Sequence, residues 1–251
     1  SIDLGGSPGK DIRKGKAVEK TQEVYENARI LGEQLAGISD YLVVGESIPG
    51  GTTTALGVLA AMGFDAKGKV SSSMPLNPHT QKVEIVEAGL ETAQIHPGQL
   101  KNDPLKAIEY LGDPMIAGVA GIAVGALRKV PVLLAGGTQM TPVLAAITRL
   151  RPESLENLAI GTTRWITMDS TSDIRGIVSQ IAQVPILSAN IDFGACKHSG
   201  LRAYEKGVVK EGVGAGGSVI AAIAKSQGEI TINQIVMEIE RRYEMITGTH
   251  A

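Results

Sequence analysis

Four short apolar runs, each followed by small or polar residues and then by a helical pattern, constrain the fold more than any other feature of this chain. They are Tyr41 to Val44, Val130 to Ala135, Leu158 to Ile160 and Val184 to Leu187. Short, continuously apolar runs read as strands buried on both faces, the mark of a parallel sheet. Gly136-Gly137-Thr138, Gly161-Thr162-Thr163 and Ser188-Ala189-Asn190 close the last three, and helical periods such as Thr141 to Leu150 and Ile174 to Ile181 come next. The expected fold is α/β: a Rossmann-like open, mostly parallel sheet flanked by helices, with a small helical appendage from the chain ends. In such sheets ligands sit beyond the carboxyl ends of the strands, so these turns are expected to line one shared site.

Further helical patterns run over Ala17 to Leu35, Thr54 to Met62, Lys82 to Thr92, Leu105 to Leu111, Val219 to Lys225 and Ile232 to Met245. The last carries Ile232, Ile235, Val236, Ile239 and Tyr243 at helical spacing and reads as an amphipathic surface or interface helix. The expected organisation is an N-terminal segment and helix over 1–36, a core over 37–228 and a C-terminal helix over 229–251. The chain opens at Ser1 in a Gly-rich segment without methionine, and the expectation is that upstream sequence is missing.

At 251 residues the chain can bury a substantial core. A net charge of −2 and an aromatic content of 3% give no electrostatic or stacking case for nucleic acid. The densest basic cluster, Lys10 to Lys20, reads as a solvated face. The apolar run Pro114 to Leu127 is short of the roughly 20 residues that a membrane span needs, so it reads as a buried helix. Its Gly118, Gly121 and Gly125 are expected to admit a neighbouring backbone. A lone cysteine, Cys196, has no disulfide partner and reads as an inert small hydrophobe in a reducing, cytoplasmic setting. His79, His96, His198 and His250 are dispersed, and no metal or cofactor is expected.

The first chemically informative stretch is Gly45-Glu46-Ser47-Ile48-Pro49-Gly50-Gly51-Thr52-Thr53-Thr54, between the first strand and the helix after it. Glycines let backbone N–H groups approach a ligand, and a helix N-terminus attracts an anion, usually a phosphate. The spacing approaches a Walker A loop, but Gly51 stands where the lysine belongs, so a monophosphate fits better than a triphosphate. The same residues nearly spell a hydrolase elbow around Ser47, with Pro49 in place of the second glycine. A plain glycine turn is the bland alternative.

The second stretch is Gly207-Val208-Val209-Lys210-Glu211-Gly212-Val213-Gly214-Ala215-Gly216-Gly217-Ser218. Gly212, Gly214 and Gly217 match the dinucleotide pattern G-x-G-x-x-G, but only Val208-Val209 precedes them where a strand is required. Glu211 stands directly before the turn that opens a helix. Packed among apolar and glycine neighbours, its carboxyl would rise toward the neutral range that suits a general base; an exposed glutamate beside Lys210 is the other reading.

Together these stretches resemble the nicotinate-nucleotide:dimethylbenzimidazole phosphoribosyltransferases, and most closely their archaeal branch. Gly45 to Ala55 lines up with the family's G-E-M-G-I-G-N-T-T-A motif, and Gly207 to Ala215, after a short gap, with G-M-R-L-G-E-G-T-G-A. Ala117 to Gly121 and Val130 to Gly137 look like the family's glycine-rich helix and R-V-P-V-V-L-D-G-F strand, with Ala135 at the aspartate position. The branch resemblance rests on Glu46 to Thr54 and on Lys69-Val70-Ser71-Ser72-Ser73-Met74-Pro75.

The resemblance implies a Glu211 base and displacement of nicotinate from nicotinate mononucleotide by an aromatic base acceptor of benzimidazole type, giving an α-ribazole phosphate-type nucleotide for cobamide synthesis. It implies that Gly50, Gly51, Thr52 and Thr53 hold the phosphate or the nicotinate carboxylate, and that Glu46 contacts base or ribose. Ser72, Gly136, Gly137, Gly212 and Gly214 would line the site, and Lys67 or Lys69 would stand in for a basic residue near the phosphate. A homodimer is implied as well. The alternative of a different class is a non-catalytic mononucleotide-binding protein of the same fold.

Overall fold

The computed structural model describes residues 1–248; His250, one of the four histidines, and the end of the 229–251 segment lie outside the described residues. In chain order the main elements are α1 (Thr21–Ala36), β1 (Leu42–Gly45), α2 (Gly51–Met62), α3 (His79–Ala93), α4 (Pro104–Leu111), α5 (Pro114–Ala126), β2 (Val132–Ala135), α6 (Met140–Leu150), β3 (Leu158–Thr163), α7 (Arg164–Thr167), α8 (Ile174–Ile181), β4 (Ile186–Ala189), α9 (Ser199–Arg202), α10 (Ala215–Lys225) and α11 (Ile232–Thr247). Asp-Pro pairs start two of the helices. Asp103 and Asp113 cap α4 and α5 through the amides of Lys106 and Ile116, each with proline at the first helical position, where its missing N–H costs nothing.

The four strands form one all-parallel sheet in the order β1-β2-β3-β4. Parallel neighbours in sequence order need crossover connections, and the right-handed kind that such units adopt puts the connecting helices over one face. Val132, Leu134, Leu158 and Ile160 bury there with Val143, Leu144 and Ile147 of α6 in the main core. Because the order never reverses, there is no switch-point crevice between diverging connections. Instead α10 returns under the opposite face and touches all four strands. Its N-terminus reaches the strands' carboxyl ends, and this placement creates the site.

The chain ends go to different places. α1 packs along α5 in the main core, whereas α11 covers a second cluster built from Ile191, Phe193, Leu201 and Val219. The α1–α5 contact depends on glycine: a Cβ on Gly125 would stand 2.1 Å from the Arg29 carbonyl oxygen, and one on Gly121 would stand 2.4 Å from that of Tyr25. Gly118 has no such role, since its nearest neighbour would be Leu4 Cδ1 at 3.6 Å. No helix among the described residues is long and apolar enough to cross a membrane.

Several boundaries differ from the sequence reading for local reasons. α2 begins at Gly51 and not at Thr54, because Gly50 takes a left-handed φ of 74° and turns the chain into the helix at once. Gly161-Thr162-Thr163 continue β3 and are not a turn; their buried β-branched threonines suit a strand. α1 begins at Thr21, after a left-handed Lys20. The basic residues Lys10, Arg13, Lys16 and Lys20 make exposed ion pairs with Glu19, Asp11, Glu109 and Glu23.

Candidate active site

The register of the sheet aligns Gly45, Ala135 and Gly161 across three neighbouring strands. This row of small residues is the floor on which the segment Val213 to Gly217 lies. A Cβ on Gly45 would stand 2.9 Å from the Val213 carbonyl oxygen, and one on Gly217 would stand 2.4 Å from the Ala135 Cβ. Ala135 is fully buried beneath this segment, directly against Gly214 and Gly217. Gly214 is left-handed at φ 73°, and so is Val213 at 47°. For a β-branched residue that is a strained conformation, of the order of 1–3 kcal/mol, held at the mouth of the site.

Glu211 stands where this segment meets the ends of β2 and β3. One carboxylate oxygen accepts from the amides of Gly212 (2.9 Å) and Gly216 (3.4 Å), and the other from the Thr162 hydroxyl (3.4 Å). Burial pushes its carboxyl above the ordinary glutamate range, and these hydrogen bonds only partly offset that rise. Glu46 is raised too, chiefly by burial and also by the nearby charges of Asp113 and Glu211, although Ile48 N–H donates to it at 2.9 Å.

Two cavities adjoin at Glu211. The first, about 300 Å³, is walled by Gly50, Gly51, Thr52 and Thr53, by Ser71, Ser72 and Ser73, and by Gly137, Lys82 and Lys210. The second, about 330 Å³, is walled by Glu46, Ser47, Gly212 and Val213, and shares Ile48, Pro49, Ser73, Gln139 and Glu211 with the first. The α2 N-terminus opens onto the first cavity, and the first-turn amides of Gly51 and Thr52 suit an anion. A roomier apolar cavity of about 400 Å³ lies at the far end of α2, against α3. Of its charged residues, Lys67 and Glu87 pair with each other at 2.6 Å and Asp65 pairs with Lys69 at 2.7 Å, so they do not converge on a ligand.

Most of the candidate residues meet here, but not all in the same way. Gly136 lies below the surface, against Met140 and Glu46, and Gly214 packs under the loop against the Ala135 carbonyl. Lys69 lines neither cavity: its ammonium pairs with Asp65 at 2.7 Å. The basic groups at the first cavity are instead Lys82 and Lys210, each 4% exposed. Lys82 donates to the Ser71 carbonyl and Lys210 pairs with Asp169. Burial, and then the Lys210 charge, depress the Lys82 ammonium to about 8. Its sequence signal was its place on a buried stripe of α3, Lys82-Val86-Gly89-Leu90, where a solvated lysine does not belong.

The competing readings lose their structural basis. Val208 and Val209 form no strand, so the G-x-G-x-x-G match lacks its dinucleotide setting. Ser47 lies in a loop between β1 and α2 rather than on a tight strand-to-helix turn, and no histidine lines its cavity. Cys196 is buried, and burial raises its thiol.

A phosphoribosyltransferase family model matches residues 6–165. The chain belongs to that family. Similar proteins include the UPF0284 protein of Methanothermobacter thermautotrophicus, 49% identical over 88% of this chain and 62% of that protein. The UPF0284 protein of Sulfolobus acidocaldarius is 48% identical over 98% of this chain and 68% of its own length. The chain therefore spans less than two thirds of the first of these relatives. Two solved structures from Thermus thermophilus share the fold. One is CobT, with a TM-score of 0.56 at 19% identity, covering 82% of this chain and 56% of that one. The other is described as a nicotinate-nucleotide-dimethylbenzimidazole phosphoribosyltransferase, with a TM-score of 0.55 at 18% identity, covering 90% and 62%. The family match ends at Trp165, before Glu211, so it does not extend to the loop that carries Glu211.

Proposed function

We propose that the protein transfers a phosphoribosyl group from nicotinate mononucleotide to an aromatic base acceptor, releasing nicotinate and forming an α-ribazole phosphate-type nucleotide for cobamide synthesis. The observation that carries this reading is the pair of cavities joined at Glu211, one suited to an anion and the other to a polar ring. A two-substrate transfer needs that layout, with the proton acceptor at the junction. The donor's phosphate sits against the α2 N-terminus with Lys82 and Lys210. The acceptor nitrogen approaches C1′ from the second cavity, past Glu46.

In the reaction the C1′–N bond to nicotinate breaks, and its electron pair neutralises the cationic ring. The acceptor nitrogen bonds to C1′ from the opposite face and inverts it, and the acceptor's N–H proton passes to the Glu211 carboxylate. Positioning supplies much of the rate. The test is mass spectrometry of a reaction containing nicotinate mononucleotide and a pool of azoles, purines and phenols. Nicotinate release with a new nucleotide supports the transferase; tight binding with no product from any acceptor leaves a non-catalytic mononucleotide-binding protein.

Lys82 makes the nucleotide affinity depend on pH. Its ammonium titrates at about 8 in the free protein, and a bound phosphate dianion would raise that value, so binding takes up a proton above pH 8. Affinity is expected to be greatest between the second phosphate ionisation, at about 6, and pH 8. Above that it should fall, approaching about tenfold per pH unit. Calorimetry in buffers of different ionisation heat measures the uptake; a flat affinity from pH 7 to 10 would remove Lys82 from the phosphate site.

We further propose a homodimer in a reducing, cytoplasmic setting. The outer face of α11, where Met237 at 62% and Met245 at 61% exposure lie on one side of the helix, supports the dimer. Light scattering tests it, and a monomer at micromolar concentration rejects it.

A further inference from the structure

Asp169 does not touch either cavity of the site, yet it is the most heavily bonded carboxylate near it. One oxygen accepts from the Thr171 amide (2.9 Å) and the Thr171 hydroxyl (2.7 Å). The other accepts from Lys210 Nζ (2.6 Å), the Ser172 hydroxyl (3.0 Å) and Asn77 Nδ2 (3.3 Å). The Lys210 and Asp169 side chains are only 4% and 6% exposed.

These donors come from three separate loops. Asn77 belongs to the serine loop; its carbonyl oxygen accepts from the Ser72 hydroxyl at 2.6 Å, and its amide also reaches the Thr171 carbonyl at 2.9 Å. Thr171 and Ser172 belong to the turn between α7 and α8. Lys210 directly precedes Glu211, and its backbone carbonyl is held by the Thr163 hydroxyl at the end of β3. Ser72 and Lys210 both wall the first cavity. A single carboxylate thus ties together two walls of the cavity, one of them Lys210, the residue before the proposed base.

We propose that Asp169 is a positioning residue: it latches the serine loop and the Lys210–Glu211 segment to each other, and so sets where Glu211 stands relative to the bound nucleotide. This rests on the reading of Glu211 as the base. The latch stays charged through the working pH range. Burial raises the Asp169 carboxyl, but the Lys210 ammonium and the Thr171 donors together outweigh burial and hold it well below the usual carboxylate range. An amide at this position keeps the volume, removes the charge that Lys210 pairs with and puts N–H donors where one of the two oxygens accepts, so Asp169→Asn opens the latch without leaving a cavity.

The test is turnover and mononucleotide affinity of Asp169→Asn, alone and in a Glu211→Gln background, with a thermal melt to establish folding. Alone, kcat is expected to fall about 100-fold and affinity about tenfold, the scale of a misplacement near 1 Å. On top of Glu211→Gln, the added loss in turnover should be less than about threefold, because groups that act as a unit are not additive. A kcat within about threefold of wild type, or a full loss added to that of Glu211→Gln, overturns the latch. Should Asp169→Asn fail to fold, Asn77→Ala removes one arm of the latch, and an unchanged kcat there overturns it equally. If the wild-type protein binds the mononucleotide but transfers nothing, the transferase reading fails by itself. Affinity then decides the latch: a tenfold loss in Asp169→Asn supports it and unchanged affinity rejects it.

Discussion

Glu211→Gln is expected to lower kcat by roughly 10²–10⁴-fold while leaving the affinity for nicotinate mononucleotide within about threefold of wild type. The substitution keeps the shape of the side chain and an oxygen able to accept from the Gly212 and Gly216 amides. The Thr162 hydroxyl can turn to accept from the new amide group. What is lost is the lone pair that takes the acceptor's proton. The same residue sets the acid side of the wild-type pH profile. Burial, the largest influence on Glu211, raises its carboxyl above the ordinary glutamate range, and the base works only when ionised. Wild-type kcat should therefore fall with decreasing pH through a value higher than that of an ordinary glutamate, and the residual activity of Glu211→Gln should lack that limb. Turnover unchanged by the substitution would remove Glu211 from the chemistry and leave its three hydrogen bonds as scaffolding for the loop.

What could be read from the sequence follows from how local each cause is. The strands were legible because four apolar runs between helical periods admit few arrangements, and the structure arranges them in one parallel sheet. Both glycine loops were legible because close backbone approach requires glycine wherever it occurs. The loop-to-α2 boundary was missed by three residues, since one left-handed glycine decides it and no periodic pattern marks it. For the basic side of the site, the family resemblance implies Lys67 or Lys69. The structure brings Lys82 across from α3 and Lys210 from the loop before Glu211 instead, a juxtaposition made by tertiary packing alone. Asp169 was hidden for the same reason. Asp169-Ser170-Thr171-Ser172-Asp173 reads as an ordinary polar turn until Lys210 and Asn77 are seen against it.

The remaining large effect concerns the floor of the site. Gly216→Ala is expected to destabilise the protein by about 3 kcal/mol, near the upper end of ordinary overpacking costs. Gly216 is the second residue of α10, and on helix propensity alone alanine would gain about 0.5–1 kcal/mol there. The new methyl, however, would stand 2.1 Å from the Thr162 carbonyl carbon and 2.5 Å from the Thr163 amide nitrogen. Backbone atoms of a central strand cannot turn aside as a flexible side chain can, so α10 must lift off the sheet. That movement carries away the Gly216 amide, which donates to Glu211, and it loosens Gly217 over Ala135. Activity should thus fall along with stability, even at temperatures where the variant remains folded. Gly118→Ala is the matched control: a helical glycine whose added Cβ meets nothing closer than 3.6 Å, expected to be neutral or stabilising by up to about 1 kcal/mol. Urea melts of the two variants side by side decide the point. Equal stabilities would mean that the packing of α10 against β3 is not what holds Glu211 at the junction of the two cavities.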